Sequence, residues 1–199
     1  MTQEQVDLDG LLQEALLLKK EWTYFSSLFL HSDERTKLLH MHMPAVWRAV
    51  QRAFINSMVM SICRLTDEGS DNLTLTTITL KYANDPRIAA TQRELNGACA
   101  TIRKVRNKVV GHRDLKVARG AQSLAWSTDD IRDSVMAIEI LAVQLGKIIE
   151  NTCIHIVDIE WKPQVDLLEA TLIYGREHSK EVHELIIKHC DRTITALPA

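Results

Sequence analysis

The chain has 199 residues, of which 46% are hydrophobic and 25% charged, so it can bury a sizeable core without disulfide bonds. Its formal net charge of -2 argues against a protein that binds nucleic acid over its whole surface, since such proteins carry a basic excess. The four cysteines lie far apart with no CxxC pair, which is typical of buried reduced thiols, and the first residues are acidic where a secretory signal would carry basic ones. We expect a cytoplasmic protein with reduced thiols.

Helical periodicity begins near the N-terminus. Apolar residues recur at three- and four-residue steps over residues 6–30, which predicts one long helix with a single apolar stripe. A polar connector over residues 31–43 follows, with a short helix opened by Ser32. Pro44 suits a first helical position, and the apolar side chains after it predict a helix that reaches Asp67.

Residues 73–80 are ambiguous, because leucines and threonines alternate as they would in a strand. Thr74 can instead cap a short helix on which Leu75, Ile78 and Tyr82 share one face. No other segment offers a strand to pair with, so we predict a short helix.

Asp85 and Pro86 begin a long helix that is predicted to end at Gly111, a residue suited to the left-handed conformation past a last turn. Ser127 or Thr128 opens the next one, which is predicted over residues 131–156. Two further helices are predicted at residues 163–175 and 180–190. Long helices joined by modest loops indicate an all-α antiparallel helical bundle. We assign it residues 1–158, with residues 159–199 as a helical extension that packs on the bundle or on a dimer partner.

The stretch from Arg106 to Asp114 concentrates chemistry-bearing side chains. Because Gly111 ends the helix, Arg106 stays on the final turns while His112 can fold back toward it. His112 could serve as a general acid and base on a ribose hydroxyl, Arg106 could neutralise a phosphate, and Asn107 could orient the imidazole.

Positive charge is dense around this stretch. Arg103, Lys104, Lys108 and Arg113 could grip an RNA backbone, although a charge run is often only a solvated helix face. An arginine and a histidine at a helix end could likewise form a salt link and cap the last carbonyls.

The motif resembles that of the HEPN superfamily, in which an arginine, often followed by a polar residue, precedes a histidine by four to six residues. Five residues separate Arg106 from His112. Trp47, Arg48 and Asp67 extend the likeness to residues 40–150 and to the abortive-infection, Abi-U-like branch.

This resemblance implies a HEPN-type homodimer with two facing copies of the motif. It also implies a metal-independent endoribonuclease acting on RNA, without a cofactor, in phage defence or toxin–antitoxin control with a possible antitoxin protein. Many HEPN members are non-catalytic, which keeps a second hypothesis open: a module that binds RNA, a nucleotide or a protein.

Other candidates are weaker. A metal-dependent helical enzyme is a third hypothesis, but the histidines show no HExxH spacing, so we expect no metal site. The histidines and cysteine concerned are His31, His40, His42, His178, His183, His189 and Cys190. Asp67 and Glu68 are interpreted as a helix cap. Apolar runs are too short to span a membrane.

Overall fold

A computed structural model describes residues 2–41, 43–69, 72–107, 125–149, 166–168 and 170–173 of the chain. Every regular element in these residues is helical, which confirms the predicted all-α class. Helix α1 is Gln3–Phe29, α2 Asp33–Met41, α3 Pro44–Thr66, α4 Leu75–Thr79, α5 Pro86–Val105 and α6 Thr128–Ile149, with a 3₁₀ turn at Leu80–Tyr82. Residues 166–168 and 170–173 are also helical.

Side-chain caps explain where several helices begin. The hydroxyl of Ser32 accepts the backbone N–H of Arg35 at 3.1 Å, as expected for the start of α2. Thr74 accepts the N–H of Thr77 at 3.0 Å, and the Thr77 hydroxyl accepts the N–H of Thr74 at 3.0 Å. This reciprocal capping box confirms the short helix predicted within residues 73–80.

Two predicted helix ends are only partly observed. Helix α5 begins at Pro86 after its N-cap Asp85, as predicted, but its predicted end at Gly111 lies outside the described residues. Helix α6 begins at Thr128, and residues 150–156 of its predicted length also lie outside them. The same holds for most of residues 159–199, so the boundary at 158/159 stays a prediction.

The chain divides into two compact units. The first contains the described residues of 1–25 and 49–159, and the second contains those of 26–48 and 160–199.

Antiparallel helix pairs build the first unit. Arg64 on α3 donates to Glu14 on α1 at 2.7 Å, while Ser57, earlier on α3, donates to Glu21, later on α1, at 2.8 Å. Helices α1 and α3 therefore run in opposite directions.

Contacts near both ends of the pair also show that α5 and α6 are antiparallel. Ser134, near the start of α6, donates to the carbonyl of Ala98 on α5 at 3.1 Å. Ile88, near the start of α5, lines the same cavity as Ile148, near the end of α6.

The core of the first unit is formed by the apolar stripes that the periodicity predicts. Trp22 stacks on Phe25 with ring centroids 6.0 Å apart, as an aromatic core contact. Cys63 and Cys99 are free and buried in this core. Its largest fully buried side chains are Leu8, Leu18, Phe25, Met58, Ile62, Leu65, Leu75, Ile88, Leu95, Ile102 and Ile131.

The second unit is organised around a buried arginine. Arg35 on α2 is only 5% exposed, and its guanidinium donates to the carbonyl of Ser27 at 2.7 Å and to Asp166 at 3.2 Å. A buried cation requires such partners, so these bonds tie α2 to the helical segment around Asp166. Leu38 and Leu39 supply apolar burial beside it.

Candidate active site

The C-terminal end of α5 carries the described part of the arginine–histidine motif. Ile102 and Val105 are buried in the core, which turns Arg103 and Arg106 to the half-buried margin of the helix. Lys104 and Asn107 are exposed. Cations at this end also oppose the partial negative charge of the helix C-terminus.

The helical geometry of the backbone changes at Arg106, the first residue of the motif. Arg106 and Asn107 are π-helical, directly after the last α-helical residue, Val105. The N–H of Arg106 donates to the carbonyls of both Ile102 and Arg103.

Arg106 is held loosely. Its Nη1 lies 4.0 Å from Oδ2 of Asp67, and its side chain is 30% exposed. Nε of Arg106 is buried and has no hydrogen-bond partner among the described residues. Since a guanidinium carries five N–H donors, the terminal nitrogens of this partly exposed side chain retain donors that a phosphate group can use, whereas the buried Nε is out of reach.

Arg103 is held more tightly. Its two terminal nitrogens donate to Glu68 at 3.1 Å and to Asn96 at 3.0 Å. These bonds give Arg103 a supporting role, although its Nε, like that of Arg106, is buried without a hydrogen-bond partner among the described residues. The grip of Arg103 on an RNA backbone, which its position in the sequence predicts, stays a prediction.

The thiol of Cys63 lies close enough to Arg106 to be affected by its charge. Burial raises the pKa of Cys63, and the guanidinium of Arg106 partly offsets the increase. A thiol with a raised pKa stays protonated near neutrality, so Cys63 is suited to packing and not to nucleophilic attack.

Lys108, His112 and Arg113 lie outside the described residues. The approach of His112 to Arg106, and the contribution of Lys108 and Arg113 to RNA binding, therefore stay predictions. His42, His178, His183, His189 and Cys190, which the metal hypothesis involves, also lie outside the described residues.

Within the part of the chain that the structure describes, no three His, Cys, Asp or Glu side chains come together as metal ligands. None of the helices described there has an apolar stretch long enough to span a bilayer.

Two acidic residues join the site that sequence reasoning did not place there. The sequence predicts a helix cap at Asp67 and Glu68, and the observed bond is within the turn itself, where Asp67 accepts the N–H of Glu68 at 2.9 Å. Their side chains also pair with Arg106 and Arg103, which lie 39 and 35 positions further along the chain. The sequence did contain a signal for these pairs: two acidic residues just after α3 and basic residues in the last turn of α5.

Comparison with known families agrees with this architecture. The HEPN_AbiU2 family model, described as AbiU2, matches residues 5–165, and the chain belongs to this family of HEPN proteins. The predicted superfamily and branch are thereby confirmed, as is the HEPN-type helical bundle. Searches of curated proteins and of solved structures give no significant match.

Proposed function

We propose that this HEPN protein is a metal-independent endoribonuclease of a prokaryotic phage-defence or toxin–antitoxin system. His112 acts as general acid and base, Arg106 stabilises the phosphate, and Asn107 orients the imidazole. Lys104, Lys108 and Arg113 contact the RNA backbone. The active form is a cytoplasmic homodimer, with an antitoxin protein as a possible partner.

The observation that carries this proposal is how few contacts the Arg106 guanidinium makes with the described residues. A structural arginine would use its donors on neighbouring groups, as Arg103 does with Glu68 and Asn96. Arg106 has one ion pair at 4.0 Å among the described residues, which is too long for a direct hydrogen bond. Family membership and the exposed Lys104 and Asn107 beside it add support.

The test is cleavage of labelled RNA in the presence of EDTA, comparing wild type with His112→Ala and Arg106→Ala. Loss of the general acid and base should lower the rate by about 10²–10⁴-fold. Loss of the charge that stabilises the phosphate should lower it by about 10²–10³-fold. Arg93→Ala, at an exposed position on the same helix, is the matched control and should retain wild-type activity.

Cleavage that stops on chelation would contradict the metal-independent mechanism. If the wild type binds RNA from a total cellular pool but leaves it intact, the protein is instead a non-catalytic binding module. The direct ion pair between Arg103 and Glu68 at 3.1 Å favours that second candidate, because it ties one cation beside the motif into an intramolecular bond.

A further inference from the structure

We propose that Asp67 is a positioning residue for Arg106: its carboxylate orients the guanidinium, while Glu68 and Arg103 keep the turn that carries Asp67 in place. This inference rests on the proposed function, because the oriented group is the one assigned to the phosphate. Asp67 uses one carboxylate oxygen for the N–H of Glu68, and the other faces Arg106.

The distance between the Asp67 carboxylate and the Arg106 guanidinium lets the carboxylate orient the guanidinium without occupying its N–H donors. At 4.0 Å the opposite charges attract, but the carboxylate does not take up a direct N–H donor. Both side chains are partly exposed, Arg106 to 30% and Asp67 to 39%, so an incoming phosphate can reach the guanidinium. The Asp67 carboxylate therefore favours one orientation of the Arg106 guanidinium and leaves its terminal N–H donors available to a phosphate.

The backbone of the turn is fixed from α4. The Thr74 hydroxyl, in a residue only 1% exposed, donates to the carbonyl of Asp67 at 3.0 Å. Thr76 donates to the carbonyl of Thr66 at 3.4 Å. Two consecutive carbonyls are thus bonded to the first residues of one short helix, which limits the movement of Asp67.

A chain of hydrogen bonds fixes the same turn from α5. Arg103 donates to Glu68 and to Asn96, and Asn96 also accepts from Gln92 at 3.2 Å. Gln92 donates in turn to the hydroxyl of Thr76 at 3.3 Å. The chain runs from the turn through α5 and returns to α4, so Arg103 acts on Arg106 through the position of Asp67.

An alternative role for Asp67 is that of a competitor that RNA must displace. A displaceable carboxylate must be free to swing away, whereas Oδ1 of Asp67 accepts the N–H of Glu68 at 2.9 Å and the backbone of the turn is bonded to α4. The two roles predict opposite signs: removing a competitor raises turnover, and removing a positioning group lowers it.

The kinetic test is Asp67→Asn, which removes the charge and preserves the shape. We expect kcat for RNA cleavage to fall about tenfold while KM changes much less, because misplacing a group that stabilises the transition state costs rate before affinity. Glu94→Gln, at an exposed position on α5, is the matched control and should leave both constants unchanged. A kcat of Asp67→Asn equal to or above that of the wild type would overturn the inference.

A second measurement does not depend on cleavage. Rotation of the Arg106 guanidinium about its Nε–Cζ bond, followed by nitrogen NMR, should be several-fold faster in Asp67→Asn than in wild type, because the charge attraction that favours one orientation is lost, and unchanged in Glu94→Gln. Exposed Arg93 is an internal reference in each spectrum. If the wild type cleaves no RNA, the proposed function fails, but the rotation rates still show whether Asp67 orients the Arg106 guanidinium. Equal rotation rates in wild type and Asp67→Asn would overturn the positioning role.

Discussion

Arg103 and Arg106 lie three residues apart on α5, yet their side chains have different surroundings. Arg103 is 21% exposed and bonded to Glu68 and Asn96, and Arg106 is 30% exposed with a single long ion pair to Asp67. The contacts with Glu68 and Asp67 reach residues far away in the sequence. The difference between a supporting and an available arginine is therefore set by tertiary neighbours and not by the residue type.

The individual surroundings of Cys63 and Cys99 predict how fast each thiol reacts. Burial raises the pKa of the Cys63 and Cys99 thiols above the ordinary 9.0, against weaker lowering effects that include Arg106 for Cys63 and the Ser134 hydroxyl for Cys99. Both thiols should therefore react with iodoacetamide far more slowly in the folded protein at pH 7.5 than in urea. Mass mapping of alkylated peptides measures this, and rapid labelling of Cys63 in the folded protein would contradict it.

At the scale of elements, α5 shows how local chemistry defines one helix end. Asp85 accepts the N–H of Arg87 at 2.9 Å, and Pro86 occupies a first-turn position that needs no N–H donor. Asp85 also accepts two hydrogen bonds from the Arg87 guanidinium, at 3.2 and 2.8 Å. Residues adjacent in sequence make all these contacts, which is why this helix start was predictable.

The α5 N-cap predicts a pH dependence. The hydrogen bonds from the Arg87 side chain and N–H lower the pKa of Asp85 from 3.8 to about 2. A folded-state pKa below the unfolded value means that the ionised cap stabilises the fold above pH 3.8, and that this contribution is lost as the pH falls toward about 2.

Asp85→Asn tests this, because asparagine also caps helices but does not titrate. Urea unfolding at several acidic pH values should show the advantage of wild type over the variant shrinking as the pH falls. An advantage that stays constant from pH 5 to about 2 would contradict the prediction.

At the scale of the whole molecule, each unit has its own means of cohesion. Paired antiparallel helices with complementary apolar stripes hold the first unit, whereas the buried Arg35 and its partners Ser27 and Asp166 organise the second. In the first unit the packing of α5 against α6 supports the helix that carries Arg103 and Arg106. Stability of this pair is therefore a condition for the geometry of the candidate site.

Neighbouring side chains on α6 test that packing. Leu141 is 0% exposed and Ile140 is 47% exposed. Leu141→Ala should lower the free energy of unfolding by about 2–5 kcal/mol, because it leaves a cavity in the core. Ile140→Ala is the control and should change it by no more than about 0.5 kcal/mol. Chemical denaturation measures both, and equal losses would contradict the assigned core face.

Local rules were enough for the fold class and for most helix starts. The capping by Ser32, Thr74 and Asp85 involves residues within three positions of one another, and apolar periodicity marks the buried face of each helix. The motif itself was also visible in the sequence, since Arg106 and Asn107 stand beside a predicted helix end.

The family and the described helices with their buried faces were thus readable from the sequence, because those features depend on neighbours along the chain. Only the tertiary structure decided that Asp67 faces Arg106 and that Glu68 binds Arg103. These pairs join residues 39 and 35 positions apart, and they meet only after α4 fixes the turn and α5 packs in the core. No periodicity or cap encodes such a meeting, because it depends on how separate helices pack together.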